Sequence, residues 1–307
     1  MTASHDWTGR VGDVWAAEWQ RTDRSLADLS RHLDVAIEVA APAGPFRALD
    51  IGCGAGVTSL ALATARPDAR IVGVDLSDAL VAIARNRLTP AVLPRRREPR
   101  AASDELNDSG LPPSWEYRAE GYDGEDARVR FLTGDALDMA KAQAPFDLLY
   151  SRHGVMFFDD PVAAFATLRG AVRPGARLVF SCFRDWRENG FAAAPAAALG
   201  LPAPTPGPGP FAFADRAQVA AILSAAGWRD AIARPIDFTY RAGAGADPVG
   251  DALGFLQRIG PAASALRMRS DAERAVLVER LRAVIERYRS GNTVDFPAAA
   301  WIWSASA

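Results

Sequence analysis

Ala48-Leu49-Asp50-Ile51-Gly52-Cys53-Gly54-Ala55-Gly56 is the stretch that decides the reading of this 307-residue chain. An apolar strand runs into an acidic residue, then into glycine at every second position, then into a helix-like run from Val57 to Ala65. Glycines at a strand-to-helix turn let the backbone bend sharply and approach a ligand closely. The N–H groups at the helix start then face the ligand's negative end. The spacing separates two ligand classes. A dinucleotide-binding turn follows Gly-x-Gly-x-x-Gly and closes on a pyrophosphate. Here the third glycine is already Gly56, and Val57 follows it. Asp50 stands two residues before the first glycine, where it repels a pyrophosphate and suits an ammonium group.

Working outward, Ile71-Val72-Gly73-Val74-Asp75 is a second apolar strand that ends in an acid. An acid at the tip of the second strand of an open α/β sheet is placed to bind both hydroxyls of a ribose. Val129 to Asp135 is a third strand, ending in Gly134-Asp135. Phe146 to Ser151 is a fourth and Arg177 to Phe183 a fifth, the latter after the helix-stopping turn Arg173-Pro174-Gly175. Strands alternating with helical segments imply a parallel sheet with helices on both faces, and ligands then bind at the carboxyl ends of the strands. Asp50, Gly52, Asp75, Asp135 and Ser151 all fall at or near those ends.

The glycine loop with its two following acids resembles motif I and its partners in the class I S-adenosylmethionine (SAM) methyltransferases. The resemblance implies an α/β fold: a doubly wound, Rossmann-like, seven-stranded sheet, mostly parallel with the last strand antiparallel, plus helical cap insertions. It implies SAM as cofactor and S-adenosylhomocysteine as product. Asp50, Gly52, Cys53, Gly54, Gly56, Asp75, Leu76, Gly134, Asp135, Ala136, Ser151 and Arg152 are the residues expected to hold them, Asp135 by the adenine amino group. Ser151-Arg152-His153-Gly154-Val155-Met156-Phe157-Phe158-Asp159-Asp160-Pro161, with Arg173-Pro174-Gly175 after it, is similar to the small-molecule methyltransferases related to the ubiquinone/menaquinone C-methyltransferases. Ala300-Trp301-Ile302-Trp303 and the helix end Leu223–Gly227 fit that group too. The resemblance covers most of residues 45–240 and the last strand. It departs at 90–127 and thins in the caps, so the acceptor is not inherited with the fold.

The bulk numbers narrow the partners. With 49% hydrophobic residues the chain can bury a sizeable core, and one domain with insertions fits its length. The net charge of −2 gives no electrostatic case for nucleic acid or an anionic membrane. Lys141 is the only lysine, which excludes most lysine-centred chemistry. Cys53 and Cys182 make neither a disulfide framework nor a metal site and are expected as buried thiols. The stretch around His5, Asp6 and Trp7 has no apolar leader, so a cytoplasmic location is expected. A homodimer is a further expectation.

The domain divides into an N-terminal helical cap (1–45), a SAM-binding core (46–183) that contains the insertion 90–127, and a C-terminal part (184–307) with acceptor-cap insertions. Val11 to Ala40 has helical periodicity, with Trp15 and Trp19 on one face and Ser25 and Asp28 as a candidate start of a helix. Those tryptophans either fold over the cofactor pocket, as in the resembling family, or pack the helix on the sheet. The insertion is broken by prolines and runs from basic (Arg95, Arg96, Arg97, Arg100) to acidic (Asp123, Glu125, Asp126). It leaves a helix expected to end away from the cofactor edge, which favours a surface excursion, a partner contact or disorder over a lid, and a solvated patch over a nucleic-acid site for its arginines. Residues 184–214 are dense in Pro and Gly and are expected as an irregular connection over the acceptor site. A helix from Asp215, a sixth strand near Ala231–Tyr240, helices near Pro248–Ile259 and Ala272–Arg289, and a last strand Ala300–Ala307 complete the chain. Leu253, Leu256, Ile259, Val276, Leu277 and Val284 are expected to bury the inserted helices over the ligand edge.

Methyl transfer is an in-line displacement, and a general base helps where the acceptor is a hydroxyl or an acidic carbon. His153 is the histidine that the order of elements places near such chemistry. It is either that base or a residue that stacks on SAM or binds a backbone group. Asp159-Asp160-Pro161 is better explained as a helix cap than as a metal site. The loop after the fourth strand lacks the Asn/Asp-Pro-Pro-aromatic motif of amino-methylating DNA enzymes, and neither cysteine follows a proline as in the cytosine C5 enzymes. The favoured function is methyl transfer to a small-molecule acceptor, aromatic, quinone-like or polyketide-like. A SAM-fold enzyme of other transfer chemistry and a non-catalytic SAM-binding regulatory subunit are the alternatives.

Overall fold

The computed structural model describes residues 7–88 and 127–307. His5, Asp6 and the insertion up to residue 126 lie outside the described residues, and with them the readings made of that insertion. The strands are β1 (Phe46–Ile51), β2 (Ala69–Asp75), β3 (Val129–Thr133), β4 (Phe146–Arg152), β5 (Val172–Phe183), β6 (Arg229–Ala244), β7 (Arg289–Ser290) and β8 (Thr293–Ser306). They form one sheet in the order β3-β2-β1-β4-β5-β8-β6, with β7 paired to β8. β1 to β5 are mutually parallel, and β8 runs antiparallel to both β5 and β6. Among the described residues the sheet therefore has eight strands rather than seven: Gly291, with φ 59°, closes a short hairpin that adds β7.

Burial explains the composition of each strand. β1, β2 and β4 are buried almost throughout, because helices cover both faces of the parallel part. β6, at the sheet's edge, alternates instead, with Ile236, Phe238, Tyr240 and Ala242 turned inward. The core that results includes Trp303, Tyr150, Phe131, Phe146, Phe165 and Phe180, each below 2% exposed. Strand order reverses between β1 and β4, and such a switch point opens a crevice at the carboxyl ends of the two strands.

The helices are α1 (Arg10–Ala17), α2 (Trp19–Ser25), α3 (Ala27–Ala40), α4 (Val57–Ala65), α5 (Asp78–Asn86), α6 (Ala136–Gln143), α7 (Pro161–Gly170), α8 (Gly190–Leu199), α9 (Arg216–Ala225), α10 (Pro248–Leu256), α11 (Pro261–Arg267) and α12 (Asp271–Glu286). Three details depart from the sequence reading. Ser25 ends α2 instead of capping a helix, because its Oγ donates back to Thr22 O at 2.8 Å within the last turn. Residues 184–214 are not irregular throughout; an alanine-rich segment folds as α8 around Pro195. Val276 is 54% exposed, because α12 buries the face that carries Leu281, Val284 and Ile285.

Candidate active site

A cavity of about 1190 Å³ opens at the switch point. One end is the glycine loop. Gly52 and Gly54 take φ of 67° and 53°, and a Cβ on Gly52 would sit 3.0 Å from Gly154 Cα. The loops after β1 and β4 are thus pressed together, and only glycine allows that approach. Gly56 has another task. It does not line the cavity; a Cβ there would meet Phe131 Cζ at 2.7 Å, so it closes α4 onto the sheet.

Two carboxylates face this end. Asp75 accepts from Gly54 N at 2.8 Å and from Ser77 N at 2.9 Å. Burial raises its affinity for a proton despite those N–H donors. Asp50 is 1% exposed. Its Oδ2 accepts from Ser59 Oγ at 2.7 Å, and Ser59 Oγ lies 3.1 Å from Tyr150 Oη. Its Oδ1 is buried with no partner among the described residues. Burial pushes the Asp50 carboxyl up to about 7, against the pull of the Ser59 hydrogen bond and of Arg152. A buried, unpartnered carboxylate oxygen beside a cradle of positive-φ glycines fits the ammonium-bearing ligand expected from the sequence.

Cys53, Leu76, Gly134, Asp135 and Ala136 line the same end. Asp135 also caps α6, accepting from Leu137 N at 2.8 Å and Asp138 N at 3.1 Å. The Cys53 thiol is buried and its affinity for a proton raised, as expected of an inert side chain. Ser151 differs from expectation. It is fully buried off the cavity, donating to Ile51 O at 2.6 Å and accepting from Gly154 N at 3.1 Å. Its hydroxyl is consumed in tying the β1 and β4 loops together.

Arg152 does reach the cavity, donating to Asp23 Oδ1 at 2.7 Å and Ser30 Oγ at 3.2 Å. Asp23 also holds Arg87 at 2.9 Å, and Arg87 donates to Ala55 O at 2.7 Å with its guanidinium over the Trp19 ring. One carboxylate on α2 thus bolts the N-terminal helices to the glycine loop and to β4. Sequence reading missed it, since no spacing distinguishes Asp23 from other polar residues of its helix. Trp15 and Trp19 line the cavity and pack against Ala16, Ala55 and Leu80.

His153 lines the cavity with φ 63° and is 8% exposed. Burial, with Arg152 beside it, lowers its pKa to about 3. The surroundings thus favour the neutral ring. Beyond it the far end is aromatic. Phe183 meets the His153 ring edge-on at 4.1 Å, Phe191 follows at 5.1 Å, and Tyr240 stacks on Phe191 at 4.0 Å. Met156, Phe157, Phe158, Trp186, Leu256 and Ile259 also line the cavity, while Asp160 caps α7, accepting from Ala163 N at 3.0 Å. The roof is tied by charge: Glu18 pairs with Arg21 at 2.8 Å and with Arg258 at 3.1 Å, and Asp251 takes Arg21 at 2.8 Å and Arg24 at 2.7 Å.

Residues 49–178 match a methyltransferase-domain family model. An O-methyltransferase of Aspergillus nomiae is 26% identical over 135 residues, which are 44% of this chain and 45% of that protein. The demethylmenaquinone methyltransferase of Thermus thermophilus is 31% identical over 149 residues, 48% of this chain and 50% of that one. The chain thus spans about half the length of these curated relatives. A solved structure described as a methyltransferase of Bacillus halodurans superposes with a TM-score of 0.51 at 14% identity, covering 90% of this chain and 98% of its own; at that identity the likeness speaks for the fold.

Proposed function

We propose that the chain, whose residues 49–178 match a methyltransferase-domain family model and whose fold is shared with a solved structure described as a methyltransferase, transfers a methyl group from SAM to a small-molecule acceptor. What carries the reading is one continuous cavity with two unlike ends. The unpartnered Oδ1 of Asp50 stands at the glycine end, and a wall of aromatic rings stands at the other. The first suits a ligand with an ammonium group and the second an apolar, planar one. An aromatic, quinone-like or polyketide-like acceptor fits that wall.

In this reading Asp50 pairs with the amino group and Asp75 clasps the ribose hydroxyls. Gly52, Cys53 and Gly54 let the backbone approach the cofactor, and Leu76, Gly134, Asp135 and Ala136 line the adenine side. Arg152 orders the wall through Asp23, whereas Gly56 and Ser151 act from behind it by shaping the loops. When bound, SAM supplies an electrophilic methyl group. The protein's share is to align the acceptor with that methyl and to keep water out, which the roof of α1, α2, α10 and α11 favours.

The test is calorimetric titration with SAM, S-adenosylhomocysteine and NAD in parallel. The expected outcome is binding of the first two and none of NAD, with Asp75→Ala weakening S-adenosylhomocysteine about tenfold to a hundredfold, as for loss of hydrogen bonds to a charged group. Binding of NAD alone, or unchanged affinity in Asp75→Ala, overturns the assignment.

A further inference from the structure

His153 is held in the cavity wall by more contacts than packing requires. It takes φ 63°, a conformation sparse for a residue with a Cβ. Its N–H donates to Ser181 O at 3.2 Å, its Nδ1 lies 2.7 Å from Ser181 Oγ, and Phe183 fixes the plane of its ring. The next residue, Gly154, touches the glycine loop, since a Cβ there would fall 3.1 Å from Gly52 Cα. The ring therefore stands where the two ends of the cavity meet. Its Nε2 is buried with no partner among the described residues.

The protons shared by His153 and Ser181 decide which way the ring faces. One sits on the neutral imidazole and one on the Ser181 hydroxyl. If the ring proton is on Nδ1, it fills the 2.7 Å contact and strands the hydroxyl hydrogen of a fully buried serine that has no other acceptor among the described residues. If it is on Nε2, Ser181 donates to Nδ1 and the one donor left over is Nε2–H, at the cavity wall. Either arrangement leaves one donor unpartnered, and a stranded buried donor costs about 1–3 kcal/mol. Ser181 is fully buried off the cavity whereas His153 lines it, so the second arrangement is the one that a ligand can complete. Arg152, itself paired with Asp23, is the charged group that bears on the ring, and it disfavours a second proton there.

We propose that His153, positioned by Ser181, donates a hydrogen bond from Nε2 to the acceptor's oxygen, and that the acceptor is an acidic phenol or enol that binds as its anion and is methylated at that oxygen. This rests on the methyl-transfer reading above. An oxyanion is the natural partner of a fixed N–H donor in a dry site, whereas a protonated amine has no lone pair to offer it. The aromatic wall of Phe183, Phe191 and Tyr240 receives the planar ring. The acceptor leaves its proton in solvent before binding, so no base is needed. An oxygen lone pair then forms the O–CH3 bond as the S–CH3 bond breaks, and that pair stays on sulfur in S-adenosylhomocysteine.

The first test is the imidazole 15N spectrum of the full chain, labelled at histidine and bound to S-adenosylhomocysteine, with His153 assigned by its loss in His153→Gln. The expected result is an Nε2–H tautomer that does not titrate between about pH 5 and 9. Ser181→Ala should mix the tautomers and Ser181→Thr should restore the pure one. An Nδ1–H tautomer, or titration near neutrality, overturns the proposal. The second test follows release of S-adenosylhomocysteine from SAM with 2-naphthols of graded acidity. The pH inflection of kcat/KM should track each naphthol's own pKa, and Ser181→Ala should lower kcat on the order of a hundredfold, as for loss of an oxyanion donor. An inflection fixed at one pH, preference for the matching naphthylamines, or no naphthol turned over while S-adenosylhomocysteine still binds each overturns this proposal alone. Failure of the wild-type protein to bind S-adenosylhomocysteine overturns the methyl-transfer reading with it.

Discussion

Asp50 shows at the scale of one residue how burial and ligand chemistry are coupled. Its carboxyl is raised to about 7 because it is taken out of water with one oxygen unpartnered. In the free protein the neutral form is favoured in the fold. The group therefore stabilises the folded state below its ordinary value near 4, and that contribution is lost as pH rises through 7. A bound ammonium group reverses the preference, so ligand binding expels a proton wherever Asp50 is protonated beforehand. Affinity for SAM should then fall as pH drops from about 8 to about 6 and level off above, and Asp50→Asn should flatten the profile. Titration calorimetry over that range checks this; a steep dependence retained in Asp50→Asn would assign it to another group.

Among the elements, α2 is the one whose position the polar contacts decide. Asp23 holds Arg152 of β4 and Arg87 beyond α5, and Glu18, immediately before α2, holds Arg258 beyond α10. Asp23 is 16% exposed at its side chain and Arg152 12%, so the pair is shielded far more than a surface ion pair. Removing one partner strands the other's charge. Asp23→Ala should lower stability by about 1–3 kcal/mol and weaken S-adenosylhomocysteine binding, since Arg152 and the Ala55 carbonyl contact of Arg87 lose their common anchor. Urea unfolding of the variant measures the first, and a loss below about 0.5 kcal/mol would mean the helices are held by their apolar faces instead.

At the scale of the whole molecule, one apolar cluster runs from Leu29 and Leu33 of α3 through the sheet to Phe255 and Leu256 of α10. The cavity is walled by α1, α2, the strand ends, α10 and α11, so a ligand in it is linked to the stability of caps and core together. At a hundred times its dissociation constant S-adenosylhomocysteine should add about 2.7 kcal/mol of stability. Hydrogen exchange should slow in α1, α2, α10 and α11 as well as in the glycine loop. Slowing confined to the glycine loop would show that the roof stays open when the cofactor is bound.

The parallel core was legible in the chain because its signals are local. A glycine turn, an acid at a strand end and a two-residue pleat are set by the backbone geometry of a few neighbours. α4, β3 and the start of α9 therefore fall where the residues put them, and Asp160 caps α7 as its pairing with Pro161 implies. Tertiary structure decided what depends on distant partners. Gly56 serves Phe131 and not a ligand, Ser151 is spent on Ile51, and Asp23 reaches β4 across more than a hundred residues of chain. His153 changed most. Its identity suggested a base; Arg152 adjoins it in the chain, but the burial and the Ser181 hydroxyl that bear on its charge and its proton come from distant elements.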